Sequence, residues 1–127
     1  MIEVYEHGEL TPVPTRPGIQ ARSLIGPKHG IRAFFLQENR LDDGATIPMH
    51  YHPVDEVLIV TEGELTVETD EGTRTVAAGN TAVIPPGTPH RLSNRNPAAC
   101  TMLAASAWDH STFYREASTY LEGAPRQ

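Results

Sequence analysis

The sequence predicts an all-β protein, a jelly-roll barrel with a short C-terminal helix. Short apolar stretches recur between Gly- and Pro-rich turns at intervals of about eight to twelve residues, the rhythm of a β-sandwich or barrel. The run Glu64-Leu65-Thr66-Val67-Glu68-Thr69 alternates with period two, as a half-buried strand does. Only after Trp108 does the period change. Phe113, Ala117, Tyr120 and Leu121 fall at helical spacing, which predicts a helix over about residues 111–122.

Each element follows from local chemistry. Residues 2–7 predict a short strand. Pro12, Pro14 and Pro17 make 8–18 an irregular connector, because each lacks an amide donor and restricts its predecessor. Residues 20–25 predict a strand, 26–30 a turn, and 31–41 a longer strand ended by Asp42-Asp43-Gly44. Strands follow at 47–52 and 56–61, interrupted near Pro53. Glu62-Gly63 and Asp70-Glu71-Gly72 are hairpin signals on either side of 64–69. Residues 81–84 form the next strand, and Pro85-Pro86-Gly87-Thr88-Pro89 is too proline-rich to be anything but a loop. Strands at 90–93 and 99–105 complete a set of about nine or ten, a count that suits a jelly roll. Asp109, Ser111 and Thr112 are candidate N-caps of the helix, and Gly123 is its stop.

At 127 residues the chain is expected to be one domain, 1–127, able to bury a core without staples. Its net charge of −6 and scattered basic residues argue against nucleic-acid binding. No apolar run is long enough to span a bilayer, and the first residues lack the pattern of a secretory signal. Cys100, the single cysteine, fits a reducing compartment, so the expected location is cytoplasmic. Cys100 reads as a buried, inert thiol. His7, His29 and His110 read as solvated side chains near turns or termini. Trp108, Phe113 and Tyr120 are expected to pack the terminal segment onto the barrel.

The chemistry is concentrated in residues 44–94, where the pattern G-x5-H-x-H-x3-E-x6-G is followed by G-x5-P-x-G-x2-H-x3-N. His50, His52 and Glu56 share parity, so on an extended chain they project to one face. His90 arrives from another strand behind a stiff Pro-Gly loop and would close a site. Three imidazoles and a carboxylate suit Fe(II) or Mn(II) first, with Ni, Zn, Co and Cu open; Mg and Ca prefer all-oxygen sites. Four protein ligands on an octahedral ion leave two open positions. Phe35, Leu58, Val60, Leu92 and Met102 are candidates to line an apolar pocket above the metal.

These two motifs resemble those of the cupin family, with every motif position filled and the short separation typical of small single-domain cupins. The resemblance implies a double-stranded β-helix barrel enclosing a metal held by His50, His52, Glu56 and His90. It leaves the reaction open, since cupins include dioxygenases, isomerases, cyclases, lyases, sensors and storage proteins. A metal-dependent oxygenase acting on a small organic substrate is the first expectation, with Glu56 as candidate general base. An isomerase or cyclase of a carbonyl or sugar-like substrate is the second, and a non-catalytic ligand-binding module the third. A homodimer is expected, because the N-terminal strand and connector resemble arms that add to a partner's sheet in small cupins.

Overall fold

The computed structural model describes residues 1–107 and 118–122. Within them the strands form two antiparallel sheets. The six-stranded sheet runs in the order β1 (Val13–Arg16), β2 (Ile19–Ile25), β3 (Phe35–Leu41), β10 (Cys100–Ser106), β5 (Glu56–Glu62) and β8 (Thr81–Ile84). The five-stranded sheet runs β11 (Thr119–Tyr120), β4 (Thr46–Tyr51), β9 (His90–Ser93), β6 (Glu64–Thr69) and β7 (Gly72–Ala77). This is a jelly-roll arrangement. Among the described residues, no helix is long and apolar enough to cross a membrane.

Period-two burial places the core between the sheets. Cys100, Met102, Ala104 and Ser106 of β10 alternate inward, and β10 pairs with β3 in unbroken register from Cys100↔Leu41 to Ser106↔Phe35. Leu58 and Val60 of β5 face the same interior, meeting Leu65 of β6 and Leu92 of β9. Fully burying each such side chain contributes about 1.5–3 kcal/mol, so this layer is the main apolar stabiliser. Cys100 is fully buried, and burial pushes its thiol up to about 11, as an inert core cysteine requires.

Two turn residues hold the sheets in place. Gly63 joins β5 to β6 at φ +72, and a Cβ there would stand 2.4 Å from the Ala99 carbonyl oxygen. Both the positive φ and the close backbone approach demand glycine. Asn94 is completely buried at the end of β9. Its amide donates to the carbonyls of Leu41 and Ala98, while its oxygen accepts from Asn96 N–H. A strand-end role for Asn94 is thus met by an amide that ties β9 to the end of β3.

The ends of the chain depart from the sequence-based expectation. Residues 2–7 do not form a strand: Met1, Ile2 and Val4 are exposed, and His7–Glu9 form a 3-10 turn. Alternation there has no neighbouring strand to pair with among the described residues. The proline-rich connector is partly ordered instead, since β1 lies inside it and pairs with β2. Pro14 is tolerated because β1 is an edge strand, with a register shift between Pro14 and Arg16. Strand β3 starts at Phe35 rather than near 31, because Ile31 N–H bonds back to Gly26 O and prolongs the preceding turn. Of the helix expected at about 111–122, residues 111–117 lie outside the described residues. Thr119 and Tyr120 are extended, not helical: the exposed edge of β4 offers them a ladder, and Leu121 N–H continues it to Met49 O at 2.9 Å.

Candidate metal centre

His50, His52, Glu56 and His90 come together at one end of the space between the sheets, and all four are buried. His50 and His90 are direct cross-strand partners on β4 and β9. The register shifts between Ile47 and His50, where Pro48 interrupts the strand, and such irregularities re-aim the side chains that follow. Glu56 opens β5 in the facing sheet. The loop delivering His90 is pinned to the first motif by Gly87 N–H, which donates to His52 O at 2.7 Å, with Gly87 at φ +73. The ligand nitrogens of His50, His52 and His90 all lie within 4.8 Å of one another, so the three could hold a metal ion.

The imidazoles are pre-oriented through their other nitrogens. His50 Nδ1 lies 2.6 Å from Pro48 O, and His90 Nδ1 lies 2.8 Å from Thr88 O. Carbonyls only accept, so both rings carry the proton on Nδ1 and present Nε2 to the site. His52 Nδ1 lies 2.9 Å from Ser118 Oγ. Glu56 Oε1 stands 3.4 Å from His90 Nε2 and 3.7 Å from His52 Nε2. His90 Nε2 is nevertheless fully buried without a hydrogen bond among the described residues. An orphaned buried nitrogen is costly unless a ligand completes it, and a metal ion held beside Glu56 would do so. The donor set therefore fits a divalent transition metal.

Burial and neighbouring charge hold His50 and His52 neutral. His50 is lowered to about 4, chiefly by burial and then by His90, with the Pro48 carbonyl opposing and Arg16 adding a smaller lowering. His52 is lowered to about 3, by burial first and then by His50 and His90. Neutral imidazole is the ligating form, so metal binding near neutral pH requires no deprotonation of these two rings. The unfolded chain takes up these protons near pH 6.5, the folded chain only near 4 and 3, so acid favours unfolding across that interval. Thermal melts of the chelator-stripped protein should therefore show stability falling steadily from about pH 6.5 to about pH 4. An unchanged melting temperature over that range would contradict the shifts.

A small cavity of about 30 Å³ adjoins the cluster, reached by His50 and Glu56. It has room for only one or two water-sized groups. Leu58, Leu92 and Met102 line it as expected from the sequence; Phe35 and Val60 are fully buried but are not among its lining residues. Arg16, Asn39 and Tyr120 line it too, and sequence reasoning did not anticipate them. Asn39 had a signal, since it shares the parity of the inward-facing Phe35 and Leu41. Arg16 and Tyr120 had none, for their places depend on the edge strands β1 and β11. Tyr120 does not merely pack the terminus: its ring stacks on His50 at 5.1 Å, with the Arg16 guanidinium 5.2 Å from its centroid. Trp108, Phe113 and His110 lie outside the described residues. His7 is exposed, but His29 is half-buried against the Tyr5 ring rather than solvated.

Comparison with known proteins agrees with this geometry. A family model described as "Cupin domain" matches residues 38–106, which contain all four site residues. No curated protein matches the sequence. Among solved structures, the polyketide cyclase RemF from Streptomyces resistomycificus superposes with a TM-score of 0.82 at 22% identity, covering 98% of this chain and 88% of the cyclase. KdgF from Halomonas sp. gives 0.75 at 20% identity, over 88% of this chain and 99% of its own. A sugar phosphate isomerase of the cupin superfamily from Silicibacter pomeroyi gives 0.74 at 24% identity, over 97% and 96%. At these identities the superpositions speak for the fold. The family match over more than half the chain, on a jelly roll whose interior gathers three buried histidines, places this protein in the cupin family as one of its small members.

Proposed function

We propose that this cupin is a metal-dependent oxygenase of a small organic substrate, with one divalent ion, iron or manganese first, held by His50, His52, His90 and Glu56. The observation that carries this reading is the convergence of three buried imidazoles beside a buried carboxylate, two of the four (His50 and Glu56) opening onto a cavity whose remaining wall is largely apolar. When bound, the ion supplies Lewis acidity and open coordination positions. Leu58, Leu92, Met102 and Ala104 keep bulk water from the reacting groups, and the cavity's size admits only the small reacting end of a substrate. Arg16 and Asn39 put polar side chains on the cavity wall beside that end. Glu56 is placed to take a proton from it. In the same reading residues 1–127 form one barrel domain and the protein pairs as a homodimer.

A second reading, cyclisation or isomerisation of a carbonyl substrate, is favoured by Glu56, a buried carboxylate on the cavity wall where a base would act. It also accords with the names of the Streptomyces cyclase and the Silicibacter isomerase. The two separate on oxygen. Protein reconstituted with Fe(II) or Mn(II) should consume oxygen in proportion to substrate when offered quinols, flavonols, thiols and diketones. Absence of uptake across that set, with solvent deuterium entering a carbonyl substrate anaerobically, would replace the first reading by the second.

A further inference from the structure

We propose that Ser118, on the segment leading into the C-terminal strand β11, is a positioning residue of the metal centre that holds the His52 ring through Nδ1, and that Glu122 latches this segment in place. The inference rests on the reading of His50, His52 and His90 as metal ligands. Two of those rings are oriented alike, each with Nδ1 against the carbonyl of the residue two positions earlier, Pro48 for His50 and Thr88 for His90. At His52 the Ser118 hydroxyl takes the corresponding place, 2.9 Å from Nδ1. A hydroxyl can donate or accept, so this contact alone leaves the tautomer undecided. The surroundings decide it. His52 Nε2 is buried and turned toward Glu56 and the other two rings, so Ser118 must accept from Nδ1–H if Nε2 is to bind metal.

The segment that brings Ser118 there is attached at several points. Thr119 and Tyr120 pair with Tyr51 and His50 on β4, so Tyr120 stacks on the ring of its cross-strand partner. One residue further, Leu121 N–H bonds to Met49 O. Glu122 Oε1 accepts from Met49 N–H at 3.0 Å, and both its oxygens accept from Arg91 at 2.6 Å, in the two-pronged geometry that gives an ion pair direction. Arg91 also reaches Glu68 on β6 at 2.6 Å. Arg91 follows His90 directly in β9, so the latch grips the strand that carries a candidate ligand. A two-residue edge strand is too short to hold by ladder bonds alone. The Arg91–Glu122 pair adds to those bonds in keeping Ser118 and Tyr120 against the histidines.

The test uses the full chain with Co(II) as probe, titrated against a chromophoric chelator, alongside the histidine 15N–1H spectrum of the metal-free protein. In the wild type His52 should carry its proton on Nδ1. Ser118→Ala should weaken Co(II) binding about 10- to 100-fold, the usual cost of losing a ligand-orienting partner, and alter the Co(II) visible spectrum. Ser118→Thr, which keeps the hydroxyl, should restore both. Glu122→Gln, which touches none of the three histidines, should weaken Co(II) binding in the same direction, with His52 losing its Nδ1 preference. A wild-type His52 protonated on Nε2, or Ser118→Ala binding Co(II) as tightly as wild type with the same spectrum, would overturn the proposal. If the wild type binds no Co(II), the metal reading itself falls, and the role of Ser118 toward a metal falls with it. The tautomer spectrum, which needs no metal, shows in that case whether Ser118 still orients His52.

Discussion

His90→Ala protein is expected to lose stoichiometric metal, with affinity falling further than the roughly 10- to 100-fold that loss of an orienting partner costs. His90 is the one imidazole that the second motif contributes, and it is fully buried between His50 and Glu56. Its ring supplies a nitrogen that no group among the described residues completes with a hydrogen bond. Folding should suffer far less than binding, because two effects of the substitution oppose one another. The cavity left by the ring destabilises, while removal of an unsatisfied buried nitrogen relieves a desolvation penalty. The metal-free variant should therefore melt within a few degrees of the metal-free wild type. Elemental analysis of protein purified without a chelating tag reads the effect, with His7→Ala, an exposed histidine, as the control that keeps its metal. Retention of a full complement by His90→Ala would remove this residue from the ligand set.

Gly63→Ala is expected to be the most destabilising single-methyl change in the described structure, at about 3 kcal/mol or more. The left-handed backbone costs alanine about 1–2 kcal/mol, and the new Cβ would stand 2.4 Å from Ala99 O. Relieving that clash means moving the backbone that leads into β10, at the typical overpacking cost of about 1–3 kcal/mol. A loss of this size takes a large share of the roughly 5–15 kcal/mol that holds a domain together. It should lower the melting temperature by roughly 10 °C. Gly44→Ala is the informative partner. Its φ is +79, but nothing lies within 4 Å of a Cβ there, so it should pay only the backbone part. Equal losses at the two positions would show that the contact with Ala99 contributes nothing.

Much of the site is legible along the chain because its geometry is local. His50 and His52 share parity across one residue, and Glu56 keeps it across the bend at Pro53, so extended geometry already brings the three to one side. Glycines and prolines at 63, 79, 85 and 87 mark reversals with a period that a β-barrel needs, and β4 to β6 and β8 to β10 fall within a few residues of the strands expected there, whereas the mostly exposed β7 falls where no strand is expected. The ends of the chain depart from local pattern for one reason: their conformation is set by what they lie against. Residues 2–7 alternate like a strand but have no ladder, whereas 13–16 contain a proline and still pair, because β2 has an open edge. Tyr120 and Leu121 have helical spacing from Phe113, yet β4 presents unpaired backbone groups that outweigh so weak a local preference.

The sequence by itself determined the strand rhythm, the glycines that permit its tight turns, and the grouping of His50, His52 and Glu56 with His90. Those are properties of residue type and short spacing. Only the tertiary structure decided the tautomer of each ring, the small bore of the cavity, and its closure by Arg16, Asn39 and Tyr120. These depend on contacts between strands far apart in the chain, such as Ser118 with His52 or Arg16 with Tyr120. No periodicity encodes such contacts, because each exists only once two edges have found their partners.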